Sequence, residues 1–324
     1  MTTRSPATRA HGSSAAIPVI IDCDPGHDDM VAILLALASP QLEVRGLTTV
    51  GGNATLEHVT ENALKTLALA NRADIPVAAG AAHPIRGPLH TASQVHGESG
   101  LDGAELPPPR SEPVAMDAVH FLADQLERAE QPLTLIPTGP QTNIGLLLRE
   151  RPDLAGRIAH ICFMGGAAGE GNATPSAEFN IWVDPEAADI VLRSGIPMTM
   201  IGLDVTHRAI FPEEQRLEMA AQGGPTSKIV ANLLAFYQAF HRRVYGWNGS
   251  PIHDAVAVAH VAYPDLVRSQ HVNVVIELEG EFTRGRTVAD LRGVTARTPN
   301  VDVGLDIDRD RFVELLRVAI ASYD

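Results

Sequence analysis

The sequence predicts a single α/β domain built on an open, mostly parallel, doubly wound sheet flanked by helices. Two observations predict it. Short apolar or β-branched runs alternate with segments of helical period through the first two thirds of the chain, the pattern of consecutive strand–helix units around a parallel sheet. Polar or glycine-rich residues also follow the strands directly: Asp24, Asp28 and Asp29 after the first, Gly51-Gly52-Asn53 after the second, Thr138-Gly139-Pro140 after the fourth and Met164-Gly165-Gly166 after the fifth. Ligands of open parallel sheets sit at the carboxyl ends of the strands, so chemistry is expected along that one rim.

Taken in order, strands are expected at residues 17–22, 42–50, 76–79, 133–137, 158–163 and 197–201, with helices near 28–38, 55–70, 115–129, 141–148 and 185–193. After Phe211 the pattern turns helical, at 212–221, 226–243 and 252–262; residues 271–278 and 286–289 read as a strand pair, and a last helix runs over 310–321. The stretch Leu106-Pro107-Pro108-Pro109 is too short for an interdomain linker. Residues 1–16 carry two arginines among Ser, Thr and Ala but no apolar core for a secretory signal. They read as a disordered tail ahead of one domain over 17–324.

The bulk numbers exclude some partners. A formal net charge of −14 opposes binding to nucleic-acid phosphates and to anionic membranes. No stretch reaches the roughly 18 apolar residues of a membrane helix, and Cys23 and Cys162, the only cysteines, make a disulfide framework untenable. A cytoplasmic enzyme with a small neutral substrate is expected.

Asp22-Cys23-Asp24-Pro25-Gly26-His27-Asp28-Asp29 crowds four carboxylates into eight residues at the end of the first strand. Pro25-Gly26 forces a turn, and Asp28 lies at a helix start, where the helix dipole favours an acid. Capping explains one or two such aspartates, not three around a turn; Asp22, still inside the strand, reads as structural. Like charges this close need a cation, and an all-oxygen set favours a hard ion such as Ca²⁺ or Mg²⁺.

This opening motif, Asp-x-Asp-Pro-Gly-x-Asp-Asp after an apolar strand, resembles that of the inosine-uridine preferring nucleoside hydrolases. The resemblance continues through Thr48–Asn53, His96-Gly97-Glu98-Ser99-Gly100-Leu101-Asp102-Gly103, Pro137-Thr138-Gly139-Pro140-Gln141-Thr142-Asn143, Met164-Gly165-Gly166, Glu178-Phe179-Asn180-Ile181-Trp182-Val183-Asp184-Pro185-Glu186-Ala187-Ala188 and Ile252-His253-Asp254-Ala255. It implies the Rossmann-like fold of that family and a calcium enzyme that hydrolyses the N-glycosidic bond of ribonucleosides to a base and ribose. The residue types suit the chemistry: cleavage makes the sugar positive and needs a water nucleophile, anionic surroundings and help for the leaving base.

By this resemblance Asp24, Asp29 and Asp254 ligate Ca²⁺ through carboxylates and Thr138 through its main-chain carbonyl. Asp24 also takes the proton of the attacking water, and Asn53 orients the site. Asp28 and Asn180 hold the ribose diol, Asn172 and Glu178 the 5′-hydroxyl, and Met164 packs on the sugar. His253 is a proton donor to the leaving base; His96 matches a histidine that faces the base in pyrimidine-preferring relatives, although its glycine-rich loop also fits a mobile lid. The helix bearing Phe236, Tyr237, Phe240, His241 and Tyr245 has the aromatic spacing of a core face, yet it ends just before His253, which puts His241 and Tyr245 in the base pocket. Trp247 and Trp182 do not match the tryptophans that stack on purines in some relatives, which argues for uridine first and cytidine second, with inosine within reach.

Two other readings stand beside this one. A haloacid-dehalogenase-type, Mg²⁺-dependent phosphatase also begins with a strand and Asp-x-Asp and would use Asp22 as nucleophile, but it wants Gly-Thr where this chain has Pro25-Gly26, and a phosphate-binding lysine where only Lys65 and Lys228 exist. A non-catalytic nucleoside-binding protein would keep the metal without turnover. The resemblance further implies a homodimer or homotetramer serving nucleoside salvage.

Overall fold

A computed structural model describes residues 15–324; the tail expected over 1–16 falls almost entirely outside the described residues. The chain runs β1 (Ile17–Cys23), α1 (His27–Ala38), β2 (Leu42–Thr49), α2 (Leu56–Leu69), β3 (Val77–Ala79), α3 (Ser93–His96), α4 (Ala118–Arg128), β4 (Leu133–Pro137), α5 (Thr142–Glu150), β5 (Ile158–Met164), α6 (Phe179–Val183) and α7 (Pro185–Leu192). It continues through β6 (Met198–Ile201), α8 (Leu203–Thr206), β7 (Ile210–Pro212), α9 (Glu213–Gln222), α10 (Pro225–Tyr245), β8 (Gly249–Pro251), α11 (His253–Ala262), β9 (Val267–Val272), β10 (Val274–Ile276), β11 (Thr287–Ala289), β12 (Val301–Ile307) and α12 (Arg309–Ala321).

Eight strands form the main sheet in the order β3-β2-β1-β4-β5-β6-β12-β9. All neighbours are parallel except β12 and β9. The first six strands follow the doubly wound order, which reverses between β1 and β4 and opens a crevice at their carboxyl ends. The expected architecture is therefore observed.

The period-two alternation of a strand sends neighbours to opposite faces. Val19, Ile21 and Cys23 of β1 enter one core while Ile20 enters the other. The first core is filled by α1 and α11, whose residues 27–36 and 253–259 are all buried; helices apolar on every side belong in an interior. The second core packs α4, α5 and α7 on the opposite face.

The C-terminal third departs from expectation. The expected pairing of 271–278 with 286–289 is real only for β10 with β11, an antiparallel pair. Residues 267–272 instead form β9, the edge of the main sheet, paired to β12, a strand the sequence reading did not place. In β12, Val301 and Val303 are buried between acidic residues, a pattern that masks a strand when hydrophobic runs are the criterion. Among the described residues no helix is long and apolar enough to cross a membrane, and both cysteines are free and buried.

Candidate active site

The strand ends deliver the acids. β1 stops at Cys23, so Asp24 lies just past the sheet, and α1 begins at His27, which puts Asp28 and Asp29 in its first turn. The antiparallel pair β7–β8 leads into α11, whose first turn carries Asp254. Because α1 packs along α11, their amino-terminal ends meet at one place, and both dipoles favour negative charge there. Carboxylate oxygens of Asp28, Asp29 and Asp254 lie within 4.8 Å of one another.

Asp24 sits beside them, fully buried, as is Asp29. Its Oδ2 accepts the Asn53 main-chain N–H at 2.7 Å, while its Oδ1 is buried with no hydrogen-bond partner. Asn53 also donates through Nδ2 to Asp29 Oδ2 and to the Asp24 carbonyl, both at 3.2 Å. The Thr138 hydroxyl donates to Asp29 Oδ1 at 2.8 Å, and the Thr138 carbonyl accepts from Asn180 Nδ2 at 2.7 Å. Two glycines make room: a Cβ on Gly52 would lie 2.0 Å from Asp24 Oδ2, and one on Gly139 would lie 2.7 Å from Asp24 Oδ1.

No Lys or Arg among the described residues forms an ion pair with these acids. Burial, followed by repulsion from Asp29, raises Asp28 to about 7 and drives Asp24 well above the usual carboxylate range; burial and then Asp28 do the same to Asp254. Burial raises Asp29 too. Four buried acids without a counter-charge, one oxygen unpartnered, fit a divalent hard cation. Asp24, Asp29, Asp254 and the Thr138 carbonyl all reach this place, as does Asp28, whose Oδ atoms also receive the Tyr237 hydroxyl.

A single pocket opens above the acids, and Asp28, Asn53, Thr138, Asn180 and Asp254 reach it from below. Met164, the last residue of β5, forms one side with its sulfur 3.4 Å from Asn180 Nδ2. The loop after β5 supplies Asn172 and Glu178. Both are also structural: Asn172 Oδ1 accepts Phe179 N–H at 2.9 Å, and Glu178 caps α6, accepting from Asn180, Ile181 and Gly166. Burial raises the Glu178 carboxyl to about 7 despite those bonds.

The opposite wall is aromatic. His96, His241, Tyr245 and His253 all line it, with Tyr237 and Phe240. His96 ends the single turn α3 rather than sitting in an open loop, and it is pinned beneath by His27: the His27 main-chain N–H donates to His96 Nδ1 at 3.2 Å, and the rings stack at 5.4 Å. His253 Nδ1 lies 2.7 Å from the Thr206 hydroxyl. Burial holds His96 and His253 well below the ordinary histidine range and His241 near 4, so all three rings are neutral at pH 7. Tyr245, Trp247 and His241 stack in turn, with His207 edge-on to Trp247.

Every site residue expected from the sequence thus reaches one locus. The sequence reading missed His27, Thr206, His207 and Tyr237. His27 stood inside the quoted motif and could have been found there, whereas Thr206 and His207 lie in a short connection with no local signal. Asp22 belongs to the sheet: it is buried, accepts from Thr48 and Asn143 at 2.6 and 2.8 Å, and burial raises it to about 7, which makes it unfit as a phosphatase nucleophile.

Comparison with known proteins agrees with this geometry. The family model described as inosine-uridine preferring nucleoside hydrolase matches residues 19–314. The pyrimidine-specific ribonucleoside hydrolase RihA of Escherichia coli K12 is 48% identical over 309 residues, 95% of this chain and 99% of that protein. Among solved structures, the purine-preferring ribonucleoside hydrolase from Gardnerella vaginalis superimposes with a TM-score of 0.89 at 32% identity, over 94% of this chain and 98% of that one. A plant nucleoside hydrolase gives 0.88 at 31%, over 94% and 99%. Sheet, acidic floor and sequence together place the chain in the inosine-uridine preferring nucleoside hydrolase family, as an enzyme that hydrolyses the N-glycosidic bond of nucleosides.

Proposed function

We propose that this enzyme is a calcium-dependent ribonucleoside hydrolase that prefers pyrimidines, uridine before cytidine, and accepts inosine less well. The observation that carries it is the buried, uncompensated acid cluster beneath a pocket walled by three neutral histidines. The pyrimidine preference is supported by the 48% identity to a pyrimidine-specific hydrolase, against 32% to the purine-preferring one. Trp247 points the same way: it stacks on Tyr245 and His241 and does not line the pocket.

Asp24, Asp29, Asp254 and the Thr138 carbonyl hold the ion in this reading. When bound, Ca²⁺ supplies Lewis acidity to a water and a fixed seat for the ribose 2′- and 3′-hydroxyls. Asp24 accepts the proton of the attacking water at its unpartnered Oδ1. Asn53 holds Asp24 and Asp29 in register. Asp28 and Asn180 bind the ribose diol, while Asn172, Glu178 and Met164 bind the 5′ side of the sugar. The negative floor opposes the positive charge that grows on the ribosyl group. His253, oriented by Thr206, gives a proton to the leaving base; His96, His241 and Tyr245 surround that base. The reading extends to a cytoplasmic homodimer or homotetramer in nucleoside salvage, on the strength of the family alone.

Turnover of uridine, cytidine, inosine and adenosine, with Ca²⁺ and after chelation, tests the proposal. Uridine and cytidine should be cleaved fastest, chelation should abolish activity and Ca²⁺ restore it, and Asp24→Ala should be inactive. A strong preference for purines overturns the specificity, activity surviving exhaustive chelation overturns the metal, and uridine bound for hours without cleavage leaves a binding protein.

A further inference from the structure

The pocket's two outermost base-facing histidines are locked in opposite tautomers. His96 Nδ1 receives the main-chain N–H of His27 at 3.2 Å. A main-chain N–H can only donate, so His96 Nδ1 carries the lone pair and the hydrogen of the neutral ring is on Nε2. The His27 ring does not compete: its Nε2 lies 2.8 Å from the Asp102 carbonyl and must give its own hydrogen there, and the two rings overlap as a stack. His241 is the reverse case. Its Nδ1 lies 3.0 Å from the Tyr237 carbonyl, which can only accept, so Nδ1 carries the hydrogen and Nε2 is a bare acceptor.

Both Nε2 atoms are free. Neither has a partner among the described residues, neither is a sealed unsatisfied atom, and both residues line the pocket. Burial keeps both rings neutral at physiological pH, so the tautomers persist.

We propose, building on the pyrimidine reading, that the enzyme reads the base with one fixed donor, His96 Nε2–H, and one fixed acceptor, His241 Nε2, which makes His241 a specificity-determining residue that demands an N–H on the base. Pyrimidine bases carry the complement. Once N1 is taken by the sugar, uracil has a single N–H, at N3, flanked by two carbonyl acceptors; cytosine offers its 4-amino group and the O2 carbonyl. A site built to accept a hydrogen discriminates against a ligand lacking it, because the buried acceptor is then left unpaired.

The test compares uridine with 3-methyluridine, which lacks the only N–H of the base. Wild-type enzyme should favour uridine in kcat/KM by about tenfold or more. His241→Phe keeps a ring but no acceptor, and should bring the ratio near one; His241→Gln, whose amide oxygen accepts, should retain the discrimination. A ratio that survives in His241→Phe means the methyl is rejected by size and overturns the assignment, as does equal use of both nucleosides by the wild type. Should the variants fold poorly, ¹⁵N spectra of the wild type decide: the assignment requires Nδ1 of His241 protonated and Nε2 bare, and the opposite tautomer refutes it. Failure of the wild type to cleave uridine at all would instead remove the pyrimidine reading on which this rests.

Discussion

Gly52→Ala tests how tightly the Asp24 carboxylate is held. The new Cβ would stand 2.0 Å from Asp24 Oδ2 and 2.8 Å from Pro140 Cδ, where ordinary contacts begin at 3.4 Å. The carboxylate must therefore retreat by about 1.4 Å, and the far side is closed by Gly139, whose own Cβ position is 2.7 Å from Oδ1. Retreat also breaks the 2.7 Å bond from the Asn53 main chain to Oδ2. A displacement of about 1 Å at a reacting group costs on the order of 10²-fold in rate. Steady-state uridine hydrolysis and calorimetric Ca²⁺ titration of Gly52→Ala should show kcat/KM reduced about 100-fold and metal affinity weakened. Gly156→Ala, where a Cβ meets nothing within 4 Å, is the control and should match wild type. Normal turnover and normal Ca²⁺ affinity in Gly52→Ala would refute the claim that Asp24 is the pivot of the site.

Glu178→Gln separates charge from capping. The folded-state carboxyl is raised from 4.5 to about 7, so the folded protein holds this proton more tightly than the unfolded chain. Stability from that proton is present below pH 4.5 and is lost as pH rises to about 7, a penalty of roughly 3 kcal/mol at most. Thermal melts of Ca²⁺-loaded protein should show the variant gaining on wild type across that window, and a pH-independent difference would contradict the shift. Thr206→Val removes the hydroxyl 2.7 Å from His253 Nδ1 in a fully buried position. It should lower kcat about tenfold with little change in melting temperature, and an unaltered kcat would show that Thr206 does not orient the proton donor.

The floor of the site was legible in the sequence because local rules place it. An apolar strand, a Pro-Gly turn and an acidic first helical turn fix Asp24, Asp28 and Asp29 relative to one another within a few residues. Asp254 is far along the chain, and only the family pattern joined it to them; physically, the packing of α11 against α1 makes the meeting. The walls were less legible because they arise from tertiary contacts. His27 stacks on His96 across 69 positions, and Thr206 meets His253 across 47. The edge strand β9 and its partner β12 were misread because alternation with acidic and polar neighbours gives no apolar run, and the pairing of 267–272 with 301–307 crosses an intervening hairpin.

The acid-bearing turn after β1 and the aromatic face of α10 are separate pieces of the scaffold that meet only at the substrate. Such a division is modular. Chemistry is anchored to rigid strand ends, whereas choice of base resides largely on one surface helix whose outer side chains, including Tyr245, remain partly open to solvent. Exchanging the exposed half of α10 between family members should transplant base selectivity as a cassette while the bond-breaking apparatus stays intact.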